Sequence, residues 1–129
     1  MDVLNNLVQT KLLLEKGYTP LARFERKFMM KRKVCFLFVS ASITEPRREE
    51  MDLGPGLMIF VGVKDYKMAC EEAVKLADEG VIMIELCGGF GNLGHAMVTE
   101  AVKGRLQVGV VRFDNHPGFD GASGDTKFM

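Results

Sequence analysis

Residues 81–91 read VIMIELCGGFG, an apolar run followed by a carboxylate, a thiol and a loop with three glycines. Because the first positions are apolar at both odd and even numbers, we predict that residues 81–86 form a strand covered on both faces. Residues 92–103 are predicted to form a helix, and Gly104 is a natural stop after it. A strand, a glycine loop and a helix in direct succession are typical of an α/β fold.

Three further apolar segments and one amphipathic helix complete the predicted fold. Residues 34–39 (VCFLFV), 57–63 (LMIFVGV) and 107–113 are predicted strands, and residues 66–79 have the apolar stripe of a helix. Strand–helix–strand connections of this length impose parallel pairing with right-handed crossovers. We therefore predict an α/β fold with a small, mainly parallel four-stranded sheet, β-β-α-β-α-β in chain order. The last three strands should be contiguous, both helices should lie on one face, and residues 40–56 should form a long loop.

The two ends of the chain differ from its middle. Residues 3–16 carry apolar side chains at mostly helical spacing, and Gly17 is a natural stop. We predict an N-terminal helical extension over residues 1–29, either an accessory helix or an upstream extension of the reading frame, and a single α/β domain over residues 30–129. Residues 114–129 are expected to be a loop or tail. Since the strands are apolar on both faces, the extension or a second subunit should cover the open sheet face, and we expect a homo-oligomer.

Composition excludes several classes of protein. The 129 residues suffice for one domain and are too few for a complete eight-stranded α/β barrel, which needs roughly 200 residues. The 17 basic and 17 acidic residues cancel, so we expect no nucleic-acid partner and no membrane partner. The N-terminus is too polar for a signal peptide, and the three cysteines form no Cys-x-x-Cys pair. We therefore expect reduced thiols and a cytoplasmic location.

Reactive side chains are concentrated where the predicted strands end. Glu85 and Cys87 follow one strand, and Arg112 and His116 lie near the end of another. The carboxyl ends of parallel strands form the edge at which open α/β sheets bind ligands. Glycines let the backbone approach a ligand, and free amides at a helix start attract anions. We therefore predict that a small anionic metabolite binds at this edge, in contact with Gly88, Gly89, Phe90, Gly91, Asn92 and Arg112.

A catalytic role for the same loop is the first alternative. Cys87 would be a nucleophile or an acid–base group in a small-molecule enzyme, with Glu85 or His116 as its proton partner. Side-chain alternation predicts that Cys87 shares the face of Glu85 if the strand continues that far, and Asn92 is the predicted helix N-cap. The loop is not a nucleophile elbow, because Glu85 stands where that motif has glycine. It is also neither a Walker loop nor a dinucleotide fingerprint.

The remaining alternatives assign no chemistry to the loop. A cysteine at a strand end is often a small buried hydrophobe, and the glycines could serve a tight turn alone. A non-catalytic oligomeric assembly module is a further alternative. Cys87, His95 and His116 have no metal-ligand spacing, so we predict no metal site, and the sequence identifies no cofactor.

These motifs resemble those of a known family. Residues 84–91 (IELCGGFG), residues 109–113 (GVVRF) and His116 match the pattern of small prokaryotic α/β proteins that are classed as a domain of unknown function. The Gly62-Val63 and Gly80-Val81 pairs fit the same pattern. The resemblance covers about three quarters of the chain. It implies the α/β fold and the position of the site, and it implies no substrate.

Overall fold

The computed structural model describes residues 31–129. That part of the chain contains five strands, two longer helices, a short 3-10 helix (Pro117–Phe119) and a short C-terminal helix. In chain order the strands and α-helices are β1 (Arg32–Val39), β2 (Arg47–Asp52), β3 (Gly56–Val63), α1 (Tyr66–Asp78), β4 (Met83–Leu86), α2 (Asn92–Val102), β5 (Gln107–Val110) and α3 (Asp125–Phe128).

The strands form one mixed sheet in the order β2-β3-β1-β4-β5. β3, β1, β4 and β5 are parallel neighbours, whereas β2 runs antiparallel to β3. The helices α1 and α2 pack against each other, so they lie on one face of the sheet. The α/β class is therefore confirmed, but the sheet has five strands rather than four.

The first correction concerns residues 40–56, for which the sequence predicts a long loop. Six of them, RREEMD, form edge strand β2, and all six are exposed. A charged edge strand discourages pairing with other chains. Because the segment has a single apolar residue, no period-two apolar pattern indicated a strand.

Arg48 connects β2 to the end of α1 through a 2.8 Å contact with Glu79. This hydrogen bond is the main cause of the lowered pKa of the Glu79 carboxyl.

The second correction concerns the order of the strands. The prediction that β3, β4 and β5 are contiguous is wrong, because β1 lies between β3 and β4. Leu37 in β1 pairs with Val61 on one side and with Leu86 on the other. The crossover through α1 therefore passes over one strand, and the local apolar pattern does not reveal that choice. β4 and β5 are parallel neighbours, as predicted.

The core lies between the sheet and the two longer helices. Alternate residues of the three central strands point into it, including the fully buried Leu37, Ile59 and Ile84. The helices contribute small and branched side chains to the same core: Ala69, Ala73, Leu76, Val98 and Val102. Within residues 31–129 no helix combines the length and the apolarity that crossing a membrane requires.

The opposite face of the sheet is apolar near its centre. Phe36 of β1 points there and meets the ring of Phe60 on β3 edge to face, with centroids 6.5 Å apart. Glu85 pairs with Phe36 across the sheet and is exposed on this face. The sequence predicts that residues 1–29 or a second subunit cover it. Residues 1–30 lie outside the described residues, so this cover, the N-terminal helix and the domain boundary stay predictions.

Candidate functional site

The glycine loop lies at the carboxyl end of β4, between the sheet and α2. The amide of Cys87 donates to the carbonyl of Leu37 at 3.0 Å, so β4 stays paired with β1 to that point. The amide of Phe90 then donates to the carbonyl of Cys87 at 3.0 Å and closes a turn. Gly91 is the N-cap of α2, and Asn92, the predicted N-cap, is instead the first helical residue.

Close packing accounts for the glycines of this loop. A β-carbon at Gly88 would collide with the ring of Phe113, and one at Gly91 would collide with the side chain of Asp125. None of the loop glycines has a positive φ, so they are needed for close approach and not for left-handed backbone. At Gly88 and Gly91 the groups that occupy the space belong to the chain after β5, whereas at Gly89 the space is occupied by Val39 of β1. Packing within the chain explains these positions without a ligand.

The C-terminal segment, residues 114–129, folds back onto the loop. Phe128 is buried, and Gly124 lies so close to the carbonyl of Gly89 that any side chain there would overlap it. Aromatic contacts with centroid separations between 4.0 and 6.2 Å connect the segment to α1, through His116, Phe119, Phe128 and Tyr66. The expectation of a loop or tail therefore missed an ordered element of the site. The two phenylalanines were the only sequence signal for it.

Asp125 occupies the start of α2. Its Oδ2 accepts the amide of Leu93 at 3.0 Å, and its Oδ1 accepts the amide of Gly94 at 3.1 Å. A carboxylate at this position is stabilised by the helix dipole and satisfies two amides that have no partner within the helix. They belong to the helix-start amides for which the sequence predicts an anionic ligand. In the folded chain they bind an internal anion.

Tyr66 joins the loop to the C-terminal segment. It is fully buried, its hydroxyl donates to Oδ1 of Asp125 at 2.9 Å, and the carbonyl of Gly89 lies 3.3 Å away. The hydroxyl oxygen of Tyr66 also accepts the amide of Gly91 at 3.0 Å. Burial is the main reason that the Tyr66 pKa is raised, and the carboxylate of Asp125 adds to the effect. The hydroxyl is therefore a neutral donor that connects Gly91, at the end of the loop, to Asp125.

A pocket of about 190 Å³ opens at this edge of the sheet. It is lined by residues 90–92, Val110, residues 112–114, Ser123 and Asp125. Four of the six predicted ligand-binding residues therefore meet in one cavity: Phe90, Gly91, Asn92 and Arg112. The other two, Gly88 and Gly89, are buried in the loop and do not line it. Drug-sized ligands occupy roughly 300–1,000 Å³, so only a smaller molecule fits here.

The three predicted catalytic residues are not joined to one another. Glu85 is exposed on the open face, whereas Cys87 packs against the core on the helix side. The condition for a shared face is not met, because β4 and its alternation end at Leu86. His116 accepts the amide of Gly118 on Nδ1 at 3.0 Å and lies in the C-terminal segment. Within residues 31–129 no hydrogen bond links the three side chains, and catalysis by Cys87 stays a prediction.

The thiols differ in their surroundings. Burial raises the pKa of the Cys35 thiol to about 12 and also raises that of Cys70. Cys87 is half-buried, and its sulfur accepts the amide of Gly89 at 3.4 Å. Nε2 of His95 lies 3.1 Å from a carbonyl of edge strand β5. In the described part of the chain, His, Cys, Asp and Glu side chains form no group of three that could hold a metal ion.

The fold and the cavity together define a class, small α/β domains with a mixed five-stranded sheet and a pocket at its carboxyl edge. The chain belongs to a family of unknown function (DUF6506), whose family model matches residues 32–126. The match agrees with the resemblance to a domain of unknown function and does not test the individual motifs. Comparisons with curated proteins and with solved structures give no match.

Proposed function

We propose that this domain binds a small polar metabolite in the edge pocket, through an anionic group on the metabolite. The observation that carries the proposal is the position of Arg112, whose side chain borders the pocket beside the start of α2. Its Nε donates to Asp114 at 2.9 Å, and the side chain stays two-thirds exposed. Among residues 31–129 its terminal nitrogens have no hydrogen-bond partner, so they can donate to a carboxylate or phosphate.

The proposal assigns the anionic group to Arg112 and not to the helix. The amides of Leu93 and Gly94 already donate to Asp125, so a ligand would have to displace an internal carboxylate to reach them. A guanidinium presents several donors in a plane that matches a carboxylate or phosphate. Arg112 is therefore the group that distinguishes a binding pocket from a packed loop.

Binding of simple anions tests the proposal. The full chain would be titrated with propionate and with inorganic phosphate, and the affinity of the Arg112→Gln variant compared with that of the wild-type chain. Loss of a charge-assisted hydrogen bond should weaken binding by about tenfold or more. Arg105→Gln is the matched control, because Arg105 is also an exposed arginine paired with an aspartate, here Asp78. Arg105 lies before the amino end of β5, away from the pocket at the carboxyl ends of the strands. The Arg105→Gln variant should therefore bind both probes as the wild type does.

Two results would reject the proposal. One is that neither propionate nor phosphate binds the wild-type chain. The other is that Arg112→Gln and Arg105→Gln bind both probes equally well, because the guanidinium of Arg112 would then contribute nothing.

A second candidate function is oligomeric assembly through the open sheet face. The observation that favours it is the apolar centre of that face, where Phe36 and Phe60 meet. Sedimentation of the full chain and of a chain without residues 1–29 would test it. We expect a homo-oligomer, or a change of oligomeric state or solubility on truncation, because exposed apolar patches promote association. A stable monomer that truncation leaves unchanged would reject this candidate.

A further inference from the structure

The charges around the pocket do not suit a ligand that is only an anion. The lining contains one guanidinium, from Arg112, and two carboxylates, from Asp114 and Asp125. The side chains therefore carry a net negative charge. An anion near Arg112 is attracted by the guanidinium and repelled by both carboxylates, so a second group of opposite charge is needed to balance the pocket.

Both carboxylates retain an oxygen with room for a donor. Asp114 uses Oδ1 to accept Nε of Arg112, and among the described residues its Oδ2 has no partner. In Asp125 the two oxygens are used unequally: Oδ1 accepts Tyr66 and Gly94, whereas Oδ2 accepts only Leu93. An ionised carboxylate offers about four acceptor sites. Acceptor capacity therefore remains on the same pocket that carries the free guanidinium nitrogens.

The exposure of these groups separates their roles. Asp114 is two-thirds exposed and belongs to no element, so it can turn toward a ligand without disturbing the fold. Asp125 is half-buried and fixed by its three hydrogen bonds, so it presents a stationary negative charge. The cavity is therefore bordered by three charged groups: the fixed carboxylate of Asp125, the mobile carboxylate of Asp114 and the guanidinium of Arg112. This arrangement matches a molecule with charges of both signs.

Resting on the proposed function, we infer that the ligand of this pocket is a small zwitterion such as an amino acid. Its anionic group contacts Arg112, and its ammonium group donates to the carboxylates of Asp114 and Asp125. The small cavity limits the ligand to a compact molecule. Binding requires no covalent step and no displacement of Asp125 from α2.

Three matched probes test the inference. L-alanine carries both charges, propionate lacks the amino group, and ethylammonium lacks the carboxylate. Each would be titrated into the full chain at neutral pH and at one low ionic strength, because salt screens interactions between exposed charges. We expect L-alanine to bind about tenfold more tightly than either singly charged probe, the factor that corresponds to one additional charged contact.

The Asp114→Asn variant gives an independent readout, since Asp114 is exposed and its loss should not affect folding. Removing its charge should weaken L-alanine binding and leave propionate binding equal or tighter, so only the affinity for L-alanine should fall. Equal weakening of both would overturn the inference.

The failure of the inference can be distinguished from the failure of the proposed function. Propionate that binds at least as tightly as L-alanine, with Arg112→Gln still weakening propionate binding, would overturn the zwitterion and leave the anion pocket standing. Binding of none of the three probes, and no binding of inorganic phosphate, would overturn both.

Discussion

Replacement of Asp125 by alanine should destabilise the domain more than replacement of an exposed charged residue does. The carboxylate accepts two amides at the start of α2 and the hydroxyl of the buried Tyr66. Loss of a side chain that caps a helix in this way costs about 0.5–2 kcal/mol. The Tyr66 hydroxyl still accepts the amide of Gly91, but its own proton is left with the carbonyl of Gly89 at 3.3 Å, and this poorer donation costs about 1 kcal/mol. We therefore expect a loss of about 1.5–3 kcal/mol in the free energy of unfolding.

Urea denaturation of the full chain, followed by circular dichroism, would measure this loss. A domain of this size should show a fall in Tm of about 6–24 °C for the same change. Asp125→Asn keeps one acceptor oxygen and should lose less. Glu71→Ala, which removes an exposed carboxylate from α1, is the control and should stay within about 0.5 kcal/mol of the wild type. If Asp125→Ala is no less stable than Glu71→Ala, the carboxylate does not fix the start of α2 and the reasoning is refuted.

Three further outcomes follow from the packing and the charges. Gly94→Ala should lower the free energy of unfolding by about 1–3 kcal/mol, because its β-carbon would lie 2.5 Å from the ring of the buried Tyr66. Gly109→Ala is the control, since nothing lies within 4 Å of its β-carbon, and it should unfold as the wild type does. Equal stabilities of the two variants in urea would contradict this prediction. Because the pKa of Glu79 is lowered in the folded state, its carboxylate contributes stability that is present at neutral pH and lost as the pH falls through the folded pKa. Glu79→Gln should therefore show a smaller decline in the free energy of unfolding when the pH is lowered to about 3. A decline equal to that of the wild type would contradict this prediction. A thiol reagent applied to the folded chain at neutral pH should modify Cys87 before Cys35, because burial raises the pKa of the Cys35 thiol to about 12. Mass spectrometry that finds Cys35 modified first would contradict the buried, protonated state of Cys35.

The parts of the fold that could be predicted are those with local causes. Two-sided apolar strands, an amphipathic helix and glycine stops are all encoded within short windows, so the α/β class and the parallel pairing of β4 with β5 were correct. The place of β1 between β3 and β4 depends on which strand a crossover passes, and no local pattern records that choice. β2 was missed for a different reason: as an exposed edge strand it can consist almost entirely of charged residues.

The candidate site divides in the same way. The alternation of β4 correctly placed Glu85 on the face of Met83, but it does not extend to Cys87 because the strand ends at Leu86. The role of Asp125 could not be read from the sequence, because the amides it accepts lie 31 and 32 residues earlier in the chain. A carboxylate in a segment rich in Gly and Asp carries no local sign of such a long-range contact.

The most direct test is an amide-resolved NMR titration of the full chain with L-alanine and with propionate, which locates binding independently of any variant. We predict saturable shifts for whichever probe binds more tightly, concentrated at Gly91, Asn92, Arg112 and Ser123 around the edge pocket. Shifts centred on the open face near Glu85, or no saturable shift with either probe, would contradict the assignment of this pocket as the binding site.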